Sequence, residues 1–391
     1  MIGSMEKNQR NSNIEILRII GMMCIIMQHA LSLGVYFDSM PEITHNVIFF
    51  QAFTGCIGWL GNMLFIIISG YFLYDSKFSL KKILKLWAEL FFYSVGISLI
   101  IYFFNIQIYG VAGSGFCLTR LVEKRYLKIS ELLYSFLPFC TAQNWFATKY
   151  IVFLFFVPFL NVMISSLSRS WHKILIILCF IIFHVFPLIS YFDVYVPNDY
   201  TAFFLLFFVG SYMRKYEDFL HKAGSVTFIV FGSAVIAVYI ALKYVFLCIY
   251  GGMENIPPVL MTVLYSALVY NLLLTWAAVF LFAGAIRLPF RSNRIINYFA
   301  SSTFGVYLIH NHNYLRRNIW LDLFHLNERI YEAGFIPWLL ADILIVFAAC
   351  CVIDFLRKIF IEPVYSGAIV RVGRKSPFRV RQKTPILVKE K

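Results

Sequence analysis

The chain has 391 residues, of which 60% are hydrophobic and 14% charged, and its mean hydropathy is +0.75. These values exclude an ordinary soluble domain and indicate a polytopic membrane protein. A formal charge of +14 would suit a nucleic-acid binder, but the basic residues gather between apolar runs, so the excess is a topology signal and no nucleic-acid partner is expected.

Ten apolar runs follow one another, near residues 14–35, 47–73, 86–108, 148–167, 174–190, 200–213, 226–247, 258–285, 297–315 and 336–356. The fold class expected is therefore all-α, with about ten transmembrane helices. The division expected is an N-terminal segment 1–13, a transmembrane domain 14–358 with a long external loop at 109–147, and a basic tail 359–391 without ordered structure. Lys7 and Arg10, the lysines from Lys77 to Lys85, Arg169 and Lys173, Arg214, Lys215 and Lys222, and Arg287, Arg291 and Arg294 fall on the same side as the tail. The loops near 36–46, 191–199 and 248–257 hold no Lys or Arg. The positive-inside rule then predicts that both termini are cytoplasmic.

The first run, Asn13 to Leu33, carries Glu15, Arg18 and His29. Each ionisable group at bilayer depth costs roughly 2.5–3.5 kcal/mol on insertion scales, so three in one helix point to function. Arg18 and His29 are eleven residues apart and share a face, separated by about 16 Å along the axis at 1.5 Å per residue. Glu15 is three residues before Arg18, placed to orient the guanidinium. The second run ends in Ile68-Ser69-Gly70-Tyr71-Phe72-Leu73 and leads to Lys77, Lys81, Lys82 and Lys85, a basic rim that serves either lipid headgroups or an anionic ligand. Glu89 stands one turn beyond Lys85, within pairing reach.

The Gly110–Gly115 stretch is loop, since no strand precedes it to make a nucleotide fingerprint. Trp145, Phe146 and Tyr150 open the fourth run, and their rings suit either a sugar face or an interfacial belt. Phe208 to Arg214 closes the sixth run with Gly210, and Lys243 in the seventh is expected to snorkel outward. In the ninth run, Tyr307 and His310 share a face. His310 lies at a depth matching that of His29 within about 3 Å, so the two can share one cavity. The alternative for His310 is a buried ring bonded to a helix carbonyl. Asp354 has Arg357 three residues on, which suggests a local ion pair. Eight cysteines show no metal-type spacing, and no metal is expected. Cys117 and Cys140 share the long loop and leave a disulfide open.

Glu15-Ile16-Leu17-Arg18, then ten residues and His29, resembles the R-x10-H motif of the acyltransferase-3 family of integral membrane acyltransferases. The Ser69 to Leu73 run, the Trp145-Phe146 pair, the glycine exit at Gly210 and Tyr307-Leu308-Ile309-His310 are similar to further family motifs in the same order. The chain departs from them at Lys82 and Lys85, where the family usually has Arg. The resemblance covers residues 13–358. It implies transfer of an acyl group, acetyl from acetyl-CoA above all, to a hydroxyl of a glycan at the cell membrane. It also implies the lipid bilayer and other envelope polysaccharide biosynthesis proteins as surroundings. Under it His29, Arg18, Glu15 and His310 are the catalytic candidates. Arg18, Lys81, Lys82, Lys85 and Arg291 are the candidates for holding acyl-CoA, and Trp145, Phe146 and Tyr307 for holding the acceptor. The rival class is a transporter or glycan flippase, whose path the same Arg and His would line.

Overall fold

The computed structural model describes residues 10–37, 40, 42–76, 78–110, 123–141, 143–186, 199–257, 260 and 272–375. In chain order its longer helices are α1 (Ser12–Gly34), α2 (His45–Phe53), α3 (Ile57–Leu73), α4 (Leu80–Phe103), α5 (Trp145–Ser166), α6 (Arg169–Phe180), α7 (Asp199–Tyr216), α8 (Ser225–Tyr250), α9 (Leu272–Arg287), α10 (Arg294–Ser301), α11 (Thr303–His310), α12 (Phe335–Phe360) and α13 (Glu362–Lys375). The protein is all-α and multi-pass. Among the described residues six stretches are long and apolar enough to cross a membrane, namely α1, α2 with α3, α4, α5, α8 and α12. Of the runs expected at 174–190, 200–213, 258–285 and 297–315, the described residues form α6, α7, α9 from Leu272 on, and the pair α10 and α11, while residues 187–190, 258–259 and 261–271 lie outside the described residues.

α1 is the hub, packing against α3, α9, α10, α11 and α12. Its start is fixed by its own polar residues. The Asn11 side chain accepts from the Asn13 amide at 3.0 Å, the Ser12 amide donates to the Arg291 carbonyl at 2.8 Å, and the Ser12 hydroxyl donates to Asn297 at 2.8 Å. The orphan donors of its first turn are thus met by the Asn11 cap and by the connection between α9 and α10. Along its length Ile14, Leu17, Ile25, Ile26, Leu31 and Leu33 are buried. Two glycine contacts set the spacing of the central helices. A Cβ on Gly61 of α3 would collide with the Gly21 carbonyl oxygen of α1, and one on Gly210 of α7 would stand 2.7 Å from the Ile67 carbonyl oxygen of α3. Close backbone contact of this kind replaces the missing hydrophobic drive between helices in lipid.

Two expected spans are broken, and each break has its freed backbone groups satisfied from within. Between α2 and α3, the Gly55 amide donates to Gln28 of α1 at 2.6 Å, and the Thr54 carbonyl accepts from the Lys243 ammonium. Lys243 therefore does not reach outward as expected; it is held by the carbonyl that the break exposes. Between α10 and α11 the hydroxyls of Ser301 and Thr303 bond back to Tyr298 and Ala300 at 2.7 and 2.9 Å, competing with the helix ladder. Lys358 of α12 donates to the Ser301 carbonyl at 3.0 Å and the Ser302 hydroxyl at 2.8 Å.

The long connection holds local structure: a two-residue antiparallel ladder pairs Ile108 with Arg125, and a short helix spans Ile129–Ser135. Cys140 is exposed, and Cys117 lies outside the described residues, as does any pairing between them. Where the sequence predicts disorder from residue 359, the chain is helical through α13 as far as Lys375. The reason is an anchor at its first turn, where Glu362 pairs with Lys85 of α4 at 2.7 Å and with Arg357 at 3.4 Å.

The α1–α3 contact carries a test. Gly61→Val forces the two backbones apart, an overpacking change that costs about 1–3 kcal/mol. The thermal midpoint of the purified protein in detergent should fall, whereas Gly96→Ala, with no neighbour within 4 Å, should leave it unchanged or raise it.

Candidate active site

The buried acid of the first span behaves as its spacing suggests. Glu15 is 4% exposed and accepts from Arg18 at 2.7 Å, so the guanidinium is fixed by its own helix while more than a quarter of its side chain stays accessible. Beside it lies a short hydroxyl chain. Ser69 donates to the Phe65 carbonyl at 2.8 Å, which uses its single proton, so the Tyr150 hydroxyl 2.9 Å away must donate to Ser69. The Tyr150 oxygen then has only lone pairs left to offer, within electrostatic reach of Arg18.

At the far end of the shared face, His29 Nδ1 stands 2.9 Å from His310 Nε2. The expected match of depth becomes direct contact. The other nitrogen of His310 is 2.6 Å from the Val306 carbonyl oxygen, which can only accept, so His310 Nδ1 carries a proton. With both rings neutral, His310 Nε2 is the acceptor and His29 Nδ1 the donor. His29 Nε2 is left with an unshared lone pair on a half-buried ring, while His310 is fully buried. Both readings of His310 hold together: it is bonded to a helix carbonyl, and that bond fixes the tautomer that orients His29.

Aromatic rings join the two ends. Phe146 stacks parallel to Tyr150 with centroids 6.1 Å apart and meets Tyr307 edge-on at 5.8 Å, and Tyr307 meets His310 edge-on at 6.3 Å. Trp145 packs on Trp59 at 5.5 Å with Lys149 over its ring. Phe146 and Tyr307 are buried, so of the three expected acceptor aromatics only Trp145 keeps substantial open surface.

The expected cofactor cations do not converge on Arg18 as a group. Lys81 and Lys82 are exposed on the first turn of α4, and Arg291 is exposed near the start of α1. Lys85 pairs with Glu362 across 2.7 Å and not with Glu89, which lies 3.3 Å from Arg357. The Asp354–Arg357 pair forms at 2.9 Å as its spacing suggests, and it belongs to a larger cluster. Asp354, fully buried, also binds Lys358 at 2.8 Å and the Tyr93 hydroxyl at 2.9 Å. Sequence reasoning missed this cluster and the Ser69–Tyr150 pair. The latter had a signal, since Tyr150 follows Phe146 by one helical turn and so lies on the same face.

Residues 11–357 match the sequence model of the family described as an acyltransferase domain, acyltransferase-3. The chain belongs to the acyltransferase-3 family. No curated protein and no solved structure matches it. The match spans the helical assembly from α1 almost to the end of α12, and family membership makes the protein an acyl-transfer enzyme of the membrane. In this acyltransferase the Arg18 end and the histidine pair are the two polar centres on α1, joined by the Tyr150–Phe146–Tyr307 wall.

The histidine geometry predicts the effect of removing the orienting ring. His310→Ala leaves His29 Nδ1 without its acceptor, and acyl transfer should drop by about 10²–10⁴-fold with the protein still monodisperse in detergent. Transfer rates of purified wild type and variant, measured with gel filtration in parallel, check this.

Proposed function

We propose that this membrane acyltransferase moves an acetyl group from acetyl-CoA, approaching from the cytoplasm, to a hydroxyl of a cell-surface or lipid-linked polysaccharide. The observation that carries the reading is the chain Val306 carbonyl, His310, His29, which leaves His29 Nε2 as a free base. Acyl transfer to a hydroxyl needs such a base near neutral pH. The acceptor hydroxyl gives its proton to His29 Nε2 as its oxygen attacks the thioester carbon. The Arg18 fork, oriented by Glu15, binds the phosphate or pantetheine end of the donor, because a planar guanidinium suits phosphate oxygens. Lys81, Lys82 and Arg291 are the exposed cations available to the nucleotide, with Lys85 already held by Glu362. The aromatic wall lines the way between them, and Trp145 offers its face to the acceptor sugar.

The test compares surface-glycan O-acetyl content by NMR in cells making wild type, His29→Ala or Arg18→Lys. His29→Ala should abolish the O-acetyl signal, and purified His29→Ala should still bind acetyl-CoA. Arg18→Lys keeps the charge and loses the fork, so it should bind acetyl-CoA more weakly and transfer at a steeply reduced rate. Wild-type acetylation by His29→Ala would overturn the assignment of the base.

Ten spans with both termini in the cytoplasm complete the proposal, supported by the segregation of Lys and Arg to one set of connections. A single cysteine placed at Asp199 should react with an impermeant maleimide from outside intact cells. Labelling only after the cytoplasmic side is opened would reverse the orientation.

A further inference from the structure

His310 ends α11, and six residues on the chain places two adjacent arginines in one helical turn, Arg316–Asn318. This turn is tied to the site. The Leu315 and Arg316 amides both donate to the His312 carbonyl at 2.9 Å, and the buried His312 ring stands 3.2 Å from the Ser94 carbonyl. The turn also packs on α1. Close by, a Cβ on Gly34 at the end of α1 would stand 2.6 Å from the Trp320 Cβ, so α1 and the segment after α11 are held in direct contact just beyond His29.

The two arginines have different surroundings. Arg317 hydrogen-bonds Tyr36 and lies near Tyr109. Arg316 has neither a hydrogen-bonded nor a carboxylate partner for its guanidinium among the described residues, and the groups within its electrostatic reach are Arg317, Tyr307 and the His29 and His312 rings. Burial, and after it the charge of Arg317, lower its pKa to about 10, so it stays cationic at neutral pH. A half-buried cation without a counter-charge is costly, and proteins retain one where a developing negative charge uses it. Arg18 cannot serve the same atoms, since it is about 16 Å down the helix from His29 and is already held by Glu15.

We propose that Arg316 is the catalytic residue that stabilises the oxyanion formed at the acyl carbonyl. This rests on the reading of His29 as the base. As the acceptor O–H gives its proton to His29 Nε2, the acceptor oxygen bonds to the carbonyl carbon and the C=O electron pair moves onto the carbonyl oxygen, which faces the guanidinium. Collapse returns that pair, breaks the C–S bond, and passes the proton from His29 to the departing CoA thiolate. Arg316 itself neither gains nor loses a proton. It supplies charge and paired N–H donors from a half-buried position beside the histidine pair, where they act on the transition state.

The experiment uses the full chain in membranes that contain the acceptor glycan, with acetyl-CoA labelled in its acetyl group, and compares wild type with Arg316→Gln and Arg316→Met. Both variants should lose about 10²–10³-fold in kcat, the usual effect of removing one oxyanion donor, with KM and direct binding of acetyl-CoA unchanged. Arg316→Met removes the need to bury a charge and keeps the test available if Arg316→Gln fails to fold. Wild-type turnover in either variant overturns the proposal. So does a loss that appears in acetyl-CoA binding, which would make Arg316 a donor-binding or packing residue. A wild type that transfers no label from acetyl-CoA would instead count against the donor assignment on which the proposal rests.

Discussion

A polar group carried into an apolar interior must find its partner inside the protein, because neither lipid nor packed side chains will supply one. That constraint organises this acyltransferase. The break between α2 and α3 persists because Gln28 and Lys243 satisfy the groups it frees, and the break between α10 and α11 because Lys358 does the same. The Asp354 cluster ties α4, α12 and α13 together by the same logic: a fully buried carboxylate is met by Arg357, Lys358 and the Tyr93 hydroxyl. At both breaks a long cationic or amide side chain from one helix repairs the backbone of another, and at Asp354 the Tyr93 hydroxyl of α4 reaches the carboxylate of α12. The packing order of the helices is thereby fixed by polar pairs as well as by apolar fit.

The same constraint makes the histidine pair informative. Two imidazoles facing one another can bond only if one donates and the other accepts, and the Val306 carbonyl decides which. The orientation of His29 thus follows from a backbone carbonyl on a different helix, one turn below His310. That arrangement has the logic of a catalytic base held by an orienting partner, with a neutral ring in the place often filled by a carboxylate. A neutral partner adds no charge to the site, which suits a centre that already has Arg316 within electrostatic reach.

α1 connects these features because it touches nearly every helix around the site. Its glycines bring α3 close, its first turn is stitched to the connection before α10, and its far end meets the segment carrying Arg316. A disturbance anywhere along α1 therefore reaches both polar centres, and substitutions on its glycine face should be read through packing before chemistry.

The sequence by itself determined the membrane class, the helical content and the face shared by Arg18 and His29, because hydropathy and the 3.6-residue period are local properties. The Glu15–Arg18 and Asp354–Arg357 pairs were legible for the same reason, being one turn apart. The family motifs, in order along one chain, were legible as well. Only the tertiary structure decided the rest. That His29 and His310 touch, that Glu89 binds Arg357 and leaves Lys85 to Glu362, and that Lys243 turns inward are facts about residues far apart in the chain. Arg316 and Arg317 had a faint signal, two adjacent arginines directly after the ninth apolar run on the side where three short loops hold no Lys or Arg. Their different surroundings did not, since adjacent residues on a helical turn point about 100° apart and only the packing of that turn on α1 sets which of them comes within reach of the histidines.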